Sequence, residues 1–320
     1  MRQSMYHGII NIYKEPGYTS HDVVARLRGI LRQKKIGHTG TLDPAAEGVL
    51  PVCLGAGTRL CEAFARETKT YEAVLLLGLS TDTQDVTGQT LADRSEAASS
   101  LSEEAVRCAV LSFEGGYNQI PPMYSALKVC GKKLYELARA GKEVERRPRW
   151  VDIPSISIES MELPRVRIRV DCSKGTYIRT LCHDIGEQLG CGGCMERLVR
   201  LRVGQFLAAD SLRLDEVELL RDQGSIGEHI LSVEQAVSLY PAAYTSCQGD
   251  KALRNGNPCF PGQLDRQRTG AIRAEDGTRA RMYDSQGVFV GVYEYQKARD
   301  WWKPWKMFLL SEEGEEGRQG

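Results

Sequence analysis

A chain of 320 residues, 42% apolar and 26% charged, can bury a sizeable core and suits one large domain with a smaller companion. Its 42 Lys and Arg residues balance 42 Asp and Glu, so net charge points to no polyanionic partner and only the distribution of charge is informative. The N-terminus MRQSMYHGIINIYKEPG lacks an apolar run behind a basic start, and nowhere do about eighteen apolar residues run together. This argues against a signal peptide or membrane span and for a cytoplasmic protein.

Ser20 is placed to cap a helix carrying Val23, Val24, Leu27, Ile30 and Leu31 at helical spacing. The polar stretch GHTGTLDPAAEG follows at 37–48, and its Asp43-Pro44 step has two readings. Asp before Pro is a good helix start, with the carboxylate capping and proline in the first turn; alternatively the carboxylate is held for chemistry. TYEAVLLLGL (70–79) reads as a buried strand and STDTQDVTGQT as a polar loop, whose Asp82 and Asp85 lack the ligand ladder of a calcium loop. Ser102, with Glu103 and Glu104, starts a helix through Phe113. The segment 119–151 opens on a Pro-Pro loop, holds one short helix ended by Gly141 and is strongly basic, an excursion from the sheet.

Val166, Ile168, Val170 and Cys172 alternate with Arg165, Arg167, Arg169 and Asp171, the period of a half-buried strand with arginines on its open face. SKGTYIRTLCHDIGEQLG then reads as a turn and a helix ended near Gly190. Arg179 falls in that helix's first turn, where a cation opposes the helix dipole, so an acidic partner is expected. An acidic, helix-rich connector (210–235) leads to a small β-domain over 240–310 and a disordered acidic tail at 311–320. The ten cysteines are scattered through core segments, which suits reduced thiols. Cys191 and Cys194, with His183 nearby, form half of a zinc pattern on paper, but no second pair sits at ligand spacing; two free thiols and no metal are expected.

Two basic runs stand out: Lys132, Lys133, Arg139, Lys142, Arg146, Arg147 and Arg149, then Arg165 through Arg202. Interleaved with Tyr135, Trp150 and Tyr177, they point to nucleic acid, where cations meet phosphates and aromatic faces meet bases.

GHTGTLDPAAEGVLPVCLGAGT closely resembles the signature segment of the TruB family of bacterial tRNA pseudouridine synthases. KTYEAVLLLGLSTDTQDVTG is similar to that family's second motif, IPPMYSALKVCGKKLYELARAGKEVERRPR to its RNA-gripping insertion, and SKGTYIRTLCHDIGEQLG to the motif that supplies its arginine. RMYDSQGVFVGVYEYQKARDWWKPWKMF resembles, more distantly, a PUA domain. The resemblance implies an α+β enzyme. Residues 1–235 would form a catalytic domain on a mixed, mainly antiparallel sheet, with the RNA-gripping insertion at about 119–151, and 240–310 a PUA-like RNA-binding domain. It implies isomerisation of uridine 55 in the tRNA T loop, without a cofactor. The expected partner is the tRNA T arm alone, bound by a monomer that needs no protein partner and no membrane.

By that resemblance Asp43 is the catalytic nucleophile or base, Arg179 pairs with it and lowers its pKa, and Tyr71 stacks on the target base and relays a proton. His38 holds the stack from which the base is flipped, Tyr177 and Leu198 line the pocket, and Lys14 supports it. Two departures from the family pattern are visible: KEPG displaces the first motif's proline by one position, and LVRLRVG (198–204) has Val199 and Leu201 where the family has a cation and a hydroxyl. The alternatives are the related catalytic subunit of guide-RNA particles, which the short N-terminal lead argues against, and a tRNA binder or folding chaperone without chemistry.

Overall fold

The computed structural model describes residues 5–129 and 131–309; the acidic tail lies outside the described residues. Nine strands build the main sheet. Its path runs Ser155–Glu162, Arg165–Cys172, Lys69–Leu77, Gly193–Val203, Glu47–Leu54, Gly8–Lys14 and Ile230–Leu231. Phe206–Leu207 pairs with Gly193–Val203, and Ile36–His38 with Glu47–Leu54. Every pairing is antiparallel except that of Gly193–Val203 with Glu47–Leu54, which is parallel and registers only Val199 with Glu47 and Arg200 with Gly48. This short seam joins the two halves of the sheet. It also demands glycine: Gly48 has φ +110°, and a Cβ there would meet the Arg200 carbonyl oxygen at 2.2 Å.

Each half has its own core. In one, helices Glu103–Leu111 and Ile178–Gln188 cover Leu75, Val166, Ile168 and Val170, a cluster that extends to Leu42, Tyr71, Ile178 and Leu198. In the other, helices Ser20–Ile30 and Leu214–Asp222 cover Ile10, Ile12, Leu50 and Val52. Strand alternation puts Ile9, Val49 and Cys53 on the opposite face, where they pack with Phe64, Phe206, Val292 and Phe308. The last two come from the C-terminal β-domain, a four-stranded sheet ordered Ala242–Tyr244, Arg279–Tyr283, Phe289–Gln296, Trp301–Met307. That domain keeps its own core around Met282, Tyr293 and Trp302 and adds the helix Cys247–Arg254, which the turn-rich sequence there conceals.

The first helix corrects one expectation. Its cap is Thr19, whose Oγ accepts from the Asp22 N–H at 3.1 Å while the Asp22 carboxylate accepts from the Thr19 N–H at 2.8 Å. Ser20 instead bonds to Leu42, in the turn that follows Gly37.

Candidate active site

Asp43 starts no helix. Residues 44–45 turn directly into the strand Glu47–Leu54, with the Ala46 N–H bonded to the Asp43 carbonyl at 3.1 Å. Of the two readings of Asp43-Pro44, helix capping is therefore excluded. The turn is held from several sides. Ser20 Oγ accepts from the Leu42 N–H at 2.9 Å, the Gly17 N–H donates to the Pro44 carbonyl at 2.9 Å, and Leu42 is anchored in the core beside Tyr71. Lys14 is fully buried, and its ammonium donates to the carbonyls of Glu15, Pro44 and Ala46. Burial lowers its pKa to about 8, against a smaller opposing pull from Asp43. Lys14 thus clamps the backbone just beyond Asp43.

The carboxylate meets its arginine. Arg179 Nε lies 2.8 Å from Asp43 Oδ2, with the arginine side chain 5% exposed and the aspartate 40%. The remaining guanidinium nitrogens donate to the carbonyls of Thr83 (2.8 Å) and Tyr124 (2.9 Å), and Asp85 stands 3.7 Å away. The arginine is fixed on three sides while the aspartate reaches open space.

Tyr71 and Tyr177 lie within electrostatic reach of Asp43. Burial raises both phenol pKa values; at Tyr71 the neighbouring Arg200 opposes that rise. Leu198 is 7% exposed and shares the cluster of Leu42 and Tyr71. His38 is half-buried; its Nδ1 accepts from the Gly40 N–H at 3.3 Å and its ring meets His21 edge-on at 5.3 Å. Burial, helped by His21 and Arg200, lowers its pKa and so favours the neutral imidazole. All seven expected residues therefore gather around one turn.

Arg200 was not singled out by the sequence, where it is one arginine in a basic run. It is 1% exposed, bonds the carbonyls of Val49 (2.7 Å) and Gly40 (3.3 Å), and faces Tyr71 across the strands. It spans the Asp43 turn from end to end, and among the described residues it forms no ion pair.

The two basic runs behave differently. In the second, Arg165 pairs with Glu196 at 2.8 Å, Arg167 with Glu72 at 3.7 Å, Arg197 with Glu47 at 2.6 Å and Arg202 with Asp171 at 3.1 Å. Glu72 sits one residue from Tyr71 and hence on the other face of the sheet. These four are offset by carboxylates within the protein, whereas Arg169 and Lys174 of the same run are exposed and form no ion pair among the described residues. In the first run only Arg146 pairs, with Glu143, among the described residues. Lys132, Arg139, Lys142, Arg147 and Arg149 are exposed, and Lys133 and Arg139 stand over the Tyr135 ring. The nine described cysteines, including Cys191 and Cys194, are free thiols.

Residues 28–178 match the model of the TruB family pseudouridylate synthase N-terminal domain, and residues 179–238 that of the tRNA pseudouridylate synthase B C-terminal domain. The chain belongs to the TruB family. The boundary between these two matches cuts the helix Ile178–Gln188 and is no structural division. Among TruB-family relatives, the tRNA pseudouridine synthase B of Lachnoclostridium phytofermentans is 48% identical, covering 95% of this chain and 100% of its own. That of Geobacter sulfurreducens is 44% identical, covering 89% and 92%. A chain in the crystal structure of a Cbf5-Nop10-Gar1 complex superposes with a TM-score of 0.70 at 27% identity, covering 95% of this chain and 85% of that one. A chain in the archaeal box H/ACA sRNP Nop10-Cbf5 complex gives 0.69 at 25% identity, covering 96% and 87%. The enzyme is thus a TruB-type isomerase that forms pseudouridine in tRNA.

Proposed function

We propose that this TruB-family enzyme isomerises uridine 55 of the tRNA T loop, with Asp43 as the reacting carboxylate. The observation that carries the reading is the Asp43–Arg179 pair: a part-exposed carboxylate aimed by a buried, triply anchored guanidinium.

The reaction breaks the C1′–N1 bond, turns the base, forms C1′–C5, removes the C5 proton and protonates the freed N1, so reactant and product have the same atoms and no redox step is needed. An ionised carboxylate beside the ribose serves the electron-poor C1′ or takes a ribose proton as the base departs. Tyr71 supplies a ring face for the uracil and a phenol oxygen that handles the proton from C5. Tyr177 and Leu198 complete the walls, and Lys14 holds the turn that carries the carboxylate. The target must leave the T-loop stack. His38, half-buried beside the turn, fills the space it vacates. The exposed cations of 119–151 meet T-arm phosphates, and their partial pairing in the free protein leaves them available to do so.

The protein acts as a monomer, without a protein partner, in the cytoplasm, and its grip on the T arm also gives it a tRNA-folding role. Incubating the purified protein with unmodified tRNA and mapping pseudouridine tests this directly. Product at position 55 from the lone protein, also on an isolated T-arm hairpin, and none from Asp43→Asn is the expected outcome. Product at full rate in Asp43→Asn would overturn the assignment of the carboxylate.

A further inference from the structure

The insertion and the catalytic arginine are joined through one side chain that neither the chemistry nor the RNA surface uses. Gln119 is the last residue of the short strand Tyr117–Gln119, which pairs with Arg149–Val151 and so closes the base of the insertion. It is 1% exposed. Its Oε1 accepts from the Tyr177 N–H at 2.8 Å, while its Nε2 donates to the Tyr177 carbonyl at 3.0 Å and to the Tyr117 hydroxyl at 2.7 Å. The Tyr117 hydroxyl in turn donates to Asp184 Oδ2 at 2.8 Å, on the second turn of the Arg179 helix. Both N–H bonds and the oxygen of one amide are therefore committed.

Their target is the start of the arginine helix. Tyr177 is the N-cap of Ile178–Gln188, and no side chain of its own segment caps that helix. Its backbone N–H is satisfied by Gln119 from 58 residues away. Two residues on is Arg179, whose guanidinium also donates to the carbonyl of Tyr124, inside the insertion. The insertion thus grips the helix start twice, through the backbone of Tyr177 and through the side chain of Arg179.

We propose that Gln119 is a positioning residue: it fixes the base of the insertion to the start of the Arg179 helix, so that RNA held by the insertion is brought into register with the Asp43–Arg179 pair. The proposal rests on the reading of that pair as the reacting centre. An amide is required because the site needs an acceptor and a donor side by side. An ionised carboxylate at 119 would set oxygen against the Tyr177 carbonyl, whereas a protonated one restores a donor.

The test is Gln119→Glu, assayed by single-turnover pseudouridine formation on unmodified tRNA from pH 6 to 8.5, with tRNA affinity measured alongside. The expected result is a rate about 10- to 100-fold below wild type at pH 8, affinity within about twofold, and a deficit that shrinks toward pH 6 as the buried carboxyl takes up its proton. A merely structural role would lower the amplitude of the single turnover, which counts folded molecules and itself varies with pH, and would leave the rate constant of the active molecules at the wild-type value. A rate within about twofold of wild type, or a deficit independent of pH, would overturn the proposal. If the carboxylate prevents folding, Gln119→Met is read in the same assay: a slowed step at unchanged affinity supports it and a wild-type rate overturns it. Asp43→Asn run in parallel separates the two claims. A fast Asp43→Asn overturns the assignment of the pair, while a fast Gln119→Glu beside an inactive Asp43→Asn overturns only the coupling.

Discussion

Arg179 approaches Asp43 through Nε at 2.8 Å, leaving both terminal nitrogens bound to main-chain carbonyls, Thr83 on one side and Tyr124 on the other. The planar fork serves three partners in fixed directions, and an ammonium cannot reproduce it. Arg179→Lys should keep the charge yet slow single-turnover pseudouridine formation by about 100-fold. Leaving buried carbonyls unpaired should also cost about 1–3 kcal/mol in urea unfolding. A rate within about tenfold of wild type would show that charge, and not direction, is what Asp43 needs.

Lys14 makes a prediction whose sign differs from that of a salt-bridged lysine. Its folded pKa, about 8, lies below the unfolded value of 10.5 because burial disfavours the ammonium. Below pH 8 both states are protonated and the full penalty is present; between 8 and 10.5 the unfolded chain binds more protons, so stability rises with pH. Relative to Lys14→Met, the wild type should therefore gain up to about 3 kcal/mol between about pH 7 and 10.5. Denaturant midpoints of the two proteins that run parallel across this window would rule it out.

Salt dependence should separate the two basic runs. Neutralising Lys132, Lys133, Arg146 and Arg147 together should flatten the log–log plot of tRNA affinity against salt by about 0.7 to 0.9 for each phosphate that is no longer neutralised. Replacing Arg165, Arg167 and Arg197 with Gln should leave the slope unchanged, since those side chains already face Glu196, Glu72 and Glu47. Equal effects from both sets would mean that RNA also covers the far face of the sheet.

Thr19 and Ser20 should differ although they are neighbours. Thr19→Ala removes a helix cap and should cost about 1 kcal/mol with little change in rate. Ser20→Ala leaves the buried Leu42 N–H without its partner, costing about 1–3 kcal/mol, and loosens the turn beside Asp43, so the rate should fall as well. Thermal melts paired with single-turnover rates measure both; the same rate loss in each variant would contradict the division of labour.

Much of this was legible in the sequence, and what was hidden has a common cause. Local periodicity was enough for the Arg165–Cys172 strand, the Ser102 cap and the stop of the Arg179 helix near Gly190, because each depends on neighbours in the chain. The seven site residues came from motif resemblance, and the structure brings them around one turn. Arg200 stayed hidden because its burial depends on the parallel seam, where its guanidinium reaches a carbonyl 151 residues away in the chain. The same holds for Ser20, where any local reading favours a cap, and for Arg165, Arg167 and Arg197, whose carboxylate partners lie on other strands. Gln119 carried no signal at all, since an amide just ahead of a Pro-Pro loop looks like any other polar side chain.

The seam between Gly193–Val203 and Glu47–Leu54 divides the proposed catalytic parts between two owners. Asp43, His38 and Lys14 ride on one half of the sheet, Tyr71, Tyr177, Arg179 and Leu198 on the other. Neither half holds the full proposed set, so its assembly depends on this seam together with the Asp43–Arg179 pair and the bonds of Arg200 to Val49 and Gly40. Activity is then a more sensitive gauge of this joint than secondary structure: an opening that breaks the seam draws Leu42 and Ala46 out of the core beside Tyr71 and lowers activity while nearly all of the strands and helices remain intact.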